Sequence, residues 1–111
     1  ETKNNARALW LAHASASSGK LVLDAGAVKA LLERGVSLLP AGVTAVEGTF
    51  DAGETVDLVD TDGKVIARGI VNFDSEEIPQ MLGRSTKELA TTLGAEFETE
   101  LVHRDDLVIL N

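Results

Sequence analysis

The chain is 111 residues long with 44% apolar and 25% charged residues, the size and composition of one globular domain. Ten basic against eighteen acidic residues give a net charge of -8, which disfavours a main role in gripping a phosphate backbone. Cysteine is absent, excluding disulfides, thiolate metal sites and cysteine nucleophiles, and the longest clean apolar run, Leu107-Val108-Ile109-Leu110, is strand-sized rather than membrane-spanning.

Residues 1–18 differ from the rest. Asn4 to Ala12, anchored by Leu9, Trp10 and Leu11, suits the end of a helix, and the small, polar stretch from Ala14 to Gly19 suits a connector. The chain opens on Glu1 without an initiator Met, as expected of a piece of something longer. Leu21-Val22-Leu23 reads as a buried strand. Asp24 then caps a helix over 25–34 with Val28, Leu31 and Leu32 at helical spacing, and Gly35 ends it. Ser37-Leu38-Leu39-Pro40-Ala41-Gly42 reads as a turn, followed by strands over 43–50 and 55–59. Thr61-Asp62-Gly63-Lys64 predicts a tight hairpin pairing Val59 with Val65, and 65–73 is the returning strand. Gly48 and Gly69 inside strand patterns predict bulges or sharp bends. A short helix is expected over 76–82, with Pro79 in its first turn. A second is expected over 85–93, opened by a Ser85–Glu88 capping box. Leu107 to Leu110 is the closing strand. Strands dominate without βαβ alternation, which predicts a mainly β fold: a small, mainly antiparallel mixed barrel of five or six strands with short flanking helices.

Motifs that carry chemistry are incomplete. His103-Arg104-Asp105 imitates a protein-kinase catalytic loop, but its glycine-rich loop, strand lysine and Asp-Phe-Gly are missing; a turn before the last strand explains it. Asp60-Thr61-Asp62-Gly63 starts like a calcium loop and lacks the later ligands. His13 and His103 have no spacing that makes a zinc site. Glu96, Glu98 and Glu100 fall on one face if that stretch is a strand, a surface with at most weak attraction for magnesium. No Gly-x-Ser-x-Gly elbow or phosphate-cradling Gly-x-x-x-x-Gly-Lys occurs. The residues read as a binding or regulatory module with no catalytic and no metal-binding residue.

Several stretches, in order, resemble the C-terminal region of the bacterial glutamate 5-kinase family. They are Ala6-Arg7-Ala8-Leu9-Trp10-Leu11, Gly19 to Ala27, Ala30-Leu31-Leu32, Ser37 to Val43, Val46 to Phe50, Ala67 to Phe73 and His103 to Val108. The resemblance covers nearly the whole chain, and Asp106 departs from the Asn expected there. It implies that 1–18 are the end of a kinase domain and a linker, and that 19–111 are a PUA domain, a small mixed pseudo-barrel. The parent would phosphorylate L-glutamate with ATP to glutamyl 5-phosphate, the first step of proline biosynthesis, in the cytoplasm. ATP and Mg2+ would belong to its kinase domain, leaving this region without cofactor and inactive alone. The implied partners are that kinase domain and further copies in a homo-oligomer, with no membrane; the implied role is regulatory or interdomain. The alternative is an RNA-binding module of PUA type, and the fold would then turn Lys20, Lys29, Arg34 and Arg104 towards RNA, although few aromatic residues are present to stack on bases.

Overall fold

Strand β1 (Gly19–Leu23) leads into helix α1 (Ala25–Arg34), and β2 (Val43–Gly48), β3 (Thr55–Val59) and β4 (Val65–Val71) follow before helix α2 (Thr86–Thr92) and the last strand, β5 (Val102–Ile109). The computed structural model describes residues 17–110. The strands form one sheet in the order β2-β1-β3-β4-β5. β1 and β3 run parallel, and every other pair is antiparallel. The parallel pair requires a long crossover, which α1 and β2 supply.

Local chemistry sets the boundaries. The Asp24 carboxylate accepts the Ala27 N–H at 2.7 Å, satisfying a free donor of the first turn of α1. Gly35 stops the helix at φ 62°, left-handed and open to glycine without steric cost, with its N–H on Leu31 O at 3.2 Å. The hairpin forms in the expected register, Val59 opposite Val65. Its organiser is Asp60, whose Oδ1 accepts the N–H groups of Asp62 and Lys64 at 2.9 and 3.0 Å. Main-chain donors thus occupy the carboxylate that the calcium reading needed.

Several expectations are corrected. The 76–82 segment is a 3-10 turn at Ile78–Gln80 within a run of turns, because Pro79 and Gly83 leave no room for an α-helical ladder. Residues 96–100 are not a strand: Ala95–Phe97 is a 3-10 turn that drives Phe97 into the core, stacked on Phe73 at 5.7 Å. The alternation of Glu96, Glu98 and Glu100 therefore does not build one acidic face. β5 begins at Val102, so His103-Arg104-Asp105 lies within the strand rather than in a turn before it. Leu101 and Val102, both fully buried, draw the chain into the sheet five residues early. β2 and β4 stop at Gly48 and Val71, short of Phe50 and Phe73. Only half the capping box forms: Ser85 Oγ accepts the Glu88 N–H at 3.1 Å, while the Glu88 carboxylate takes Arg84 Nε at 2.9 Å.

The core lies under the helix-covered face, where Leu21, Leu31, Leu58, Ile78, Leu89 and Leu101 are nearly or wholly inaccessible. Each such side chain contributes about 1.5–3 kcal/mol through removal from water. The barrel-like closure comes from one segment. Leu38 forms a bridge with Val102 (Leu38 N–H to Val102 O 2.9 Å, Leu101 N–H to Leu38 O 2.8 Å), and the 3-10 turn Pro40–Gly42 then feeds β2 at the opposite edge. Among the described residues it is this span, not a β2–β5 ladder, that joins the two edges.

The expected helix end around Trp10, and His13, lie outside the described residues. The last residues of the presumed connector are attached to β3: Ser18 N–H donates to Thr55 O at 2.8 Å, Ser17 Oγ to Asp57 Oδ2 at 2.9 Å, and Ser18 Oγ to the Glu54 carboxylate.

Candidate partner and nucleic-acid surface around helix α1

The four basic candidates are divided by the fold. Lys20 is exposed on β1, directly between Glu47 of β2 and Asp57 of β3, in a cross-strand row of alternating charge that continues to Arg68 of β4. Lys29 and Arg34 are exposed on α1. Arg104 is exposed on β5, with its N–H on Ser37 Oγ at 2.8 Å. Ser37 also lines a groove of about 200 Å³ between α1 and the Val36–Gly42 segment, and Arg34 stands on its margin. Arg34 thus lines the same groove as Ser37, the Arg104 main chain meets Ser37, Lys29 lies further along the helix, and Lys20 lies on the sheet.

The groove itself is apolar. Ala27, Ala30, Leu31, Val36, Leu38 and Leu39 contribute to it, and Leu39 remains 46% exposed. A second depression of about 300 Å³ lies between α1 and the β3–β4 hairpin, where Leu32, also 46% exposed, meets Lys29, Glu33 and Asp60. In sequence, Ser37–Gly42 reads only as a turn. The available signal was Leu38-Leu39: adjacent residues beside a turn cannot both enter the core, and here Leu38 is buried and Leu39 is not.

The remaining polar groups serve the fold. Ser75 Oγ accepts the Phe50 N–H at 3.1 Å, and Ser85 caps α2. His103 Nδ1 accepts the Asp105 N–H at 3.1 Å; that geometry places the proton of a neutral ring on Nε2. Asp57 pairs with Arg68 at 2.8 Å. Glu54 is held below the usual glutamate pKa, first by the Ser18 hydroxyl and then by the Asp51 N–H. Among the described residues no group of three or more His, Asp or Glu is placed to hold a metal, and no buried side-chain polar atom lacks a hydrogen-bond partner.

Residues 19–93 match the PUA domain family. The chain belongs to that family. Beyond the matched stretch, β5 adds the last strand to the same sheet. The chain is 60% identical over 109 residues to the glutamate 5-kinase of Frankia casuarinae, covering 98% of this chain and 29% of that protein. It is 62% identical over 104 residues to the Streptomyces avermitilis glutamate 5-kinase, covering 94% and 28%. The Microcystis aeruginosa glutamate 5-kinase is 47% identical, covering 97% and 28%. The chain therefore spans less than a third of the length of these relatives. In fold, the PUA domain is similar to one from Aeropyrum pernix K1 solved as a tartrate complex, with TM-score 0.57 and 23% identity over 78% of this chain and 41% of that one. It is also similar to a conserved PUA domain protein from Thermoplasma acidophilum, with TM-score 0.56 and 17% identity over 94% and 55%.

Proposed function

We propose that this PUA domain, residues 19–111, is the non-catalytic C-terminal accessory domain of a glutamate 5-kinase and acts by contact with its own polypeptide, residues 1–18 being the end of the kinase domain and the linker. The parent transfers the terminal phosphoryl group of ATP to the side-chain carboxylate of L-glutamate in the cytoplasm, giving glutamyl 5-phosphate and ADP for proline biosynthesis. Phosphoryl transfer needs a phosphate cradle, a metal site and cationic charge aimed at the moving group. The described residues place no carboxylate cluster for Mg2+, and the sequence carries no phosphate-cradling Gly-x-x-x-x-Gly-Lys, so ATP and Mg2+ are assigned to the kinase portion. No described helix is long and apolar enough to cross a membrane.

The observation that carries the contact role is the surface around α1, where the exposed Leu39 lines an apolar groove and the exposed Leu32 lies in a mixed depression in which Lys29 is accompanied by Glu33 and Asp60. Exposed apolar surface of this kind favours protein neighbours. A short tether supplies such a neighbour at high effective concentration, so a modest interface can bias a conformational equilibrium between states it binds unequally. The partners are accordingly the kinase domain and other subunits of a homo-oligomer.

Deleting residues 20–111 from the parent enzyme tests this. Turnover is expected to survive while proline feedback, metal dependence or assembly changes; loss of all turnover in a folded truncation, or no change in any of these, refutes it. The second reading, RNA binding, rests on Arg34, which lines the groove, and on Arg104, whose main chain meets the groove residue Ser37. Tight, specific binding of a structured RNA at physiological salt, abolished by Lys29→Glu with Arg34→Glu, would replace the first reading.

A further inference from the structure

The two edges of the sheet are not alike. β2 offers exposed Thr44, Glu47 and Gly48 along its edge, the polar residues by which natural edge strands discourage pairing. β5 is guarded only over its first half. The outward main-chain groups of Val102 are taken by Leu38, the Arg104 N–H by Ser37 Oγ, and the Asp105 N–H by His103 Nδ1. The register against β4 then shifts between Val102 and Leu107.

Beyond that shift the strand is apolar and regular. Leu107, Val108 and Ile109 stand opposite Gly69, Arg68 and Ala67, and the Leu110 N–H donates to Ile66 O at 2.8 Å. In an antiparallel ladder, main-chain groups alternate between the two sides. Leu110 and Val108 therefore direct theirs towards β4, and Leu107 and Ile109 direct theirs away from the sheet. No described residue hydrogen-bonds these outward groups. The Leu107 and Ile109 side chains pack on the core, and all four residues from Leu107 to Leu110 are only half-buried. No Lys, Pro or inward charge protects this stretch.

We propose that the second half of β5 binds a second copy of the same chain, the two strands pairing antiparallel about a two-fold axis at Val108. The stretch is complementary to itself in this register. Leu107 faces the partner subunit's Ile109 and Ile109 faces the partner subunit's Leu107; each pair exchanges two main-chain hydrogen bonds, which uses the open donors and acceptors of Leu107 and Ile109. Val108 faces its own symmetry mate in the close, non-hydrogen-bonded position, with Cα atoms about 4.5 Å apart. The register also separates the acids, setting Asp106 opposite Leu110. Moving the axis by two residues, to Asp106, would put Asp106 against Asp106, and like charges directly opposite are unfavourable. Two five-stranded sheets become one continuous sheet. With a net charge of -8 on each copy the association strengthens as salt rises, the opposite of a contact held by ion pairs. The proposal stands on the strand edge and does not depend on the kinase assignment.

The test is sedimentation velocity of the 111-residue chain across roughly 10 μM to 1 mM, which spans micromolar to millimolar dissociation constants. Val108→Lys and Val108→Glu are each expected to weaken self-association at least tenfold, and their equimolar mixture to restore it, since only register at Val108 brings the opposite charges face to face. Amide exchange in the unsubstituted chain gives a second readout without any mutation: Leu107 and Ile109 slow as concentration rises while Val102 does not. A chain monomeric throughout the range, association indifferent to Val108→Lys, a mixture no better than either variant, or concentration-independent exchange at Leu107 and Ile109 would each overturn the proposal.

Discussion

Replacing Gly69 by alanine adds one methyl group where β4 meets a side chain of β5. A Cβ at that position would lie 2.5 Å from Val102 Cγ1 and 3.1 Å from Asp106 O. Non-bonded carbons sit comfortably at about 3.5–4.0 Å, so Val102 would have to retreat by about 1 Å. It has nowhere to go: Val102 is fully buried, bridged on its far side by Leu38, and the β4–β5 register already shifts between Gly69 and Val71. Two effects compete. Removing a glycine restricts the unfolded chain and favours folding by about 0.4–1 kcal/mol, whereas overpacking a tight core costs about 1–3 kcal/mol. With a fully buried contact that cannot relax, the second prevails, and a net loss of about 2 kcal/mol is expected. Urea unfolding followed by far-UV circular dichroism reads this directly. For a urea slope of about 1.5 kcal/mol/M the midpoint falls by about 1.3 M with the slope unchanged. Val102→Ala removes the obstructing methyl groups, so Gly69→Ala with Val102→Ala should cost less than the sum of the single changes by about 1 kcal/mol. A Gly69→Ala protein within about 0.5 kcal/mol of the parent, or a strictly additive double variant, would refute the packing argument.

Asp24→Ala should lower stability by about 1 kcal/mol, and Asp24→Ser should recover most of it, because either side chain can accept the Ala27 N–H; equal melting of all three proteins would count against the cap. Carboxyl-resolved NMR should find Glu54 titrating below an ordinary glutamate, and Ser18→Ala should move it back up, since the Ser18 hydroxyl is the larger cause and the Asp51 N–H the smaller. A group with a depressed folded pKa contributes its stability fully above the unfolded pKa and loses it as pH falls through the folded value, so Ser18→Ala should matter at neutral pH and cease to matter in acid. An unmoved Glu54 midpoint in that variant would remove Ser18 as the cause.

The elements legible in the sequence are those whose boundaries are written locally. Asp24 and Gly35 bracket α1 through bonds to residues three and four positions away, and Asp60 to Lys64 closes its own hairpin. The misread segments depend on distant neighbours. Phe97 is buried because Phe73 waits for it, and β5 begins early because Leu38, more than sixty residues upstream, bridges Val102. The candidate surface divides in the same way. The cations were visible as residue types, but the separation of Lys20 from Arg34 and Arg104 arises from the β1–β2 and β1–β3 registers and from a hydroxyl on Ser37, none of which has a short-range signature.

The bridge between Leu38 and Val102 also bears on the order in which the molecule can assemble during synthesis. Its two halves leave the ribosome more than sixty residues apart, and β5 is the last strand to emerge. Until it does, Leu38 has no partner for its main chain, the Pro40–Gly42 span has nothing to close against, and the buried faces of β4 and the Ile78 turn stay open on one side. The domain can form its hairpin and its capped helix early, but the step that seals the core waits for the final tenth of the described chain. A long closing contact of this kind slows folding and leaves apolar surface exposed in the interim, when neighbouring nascent chains are within reach.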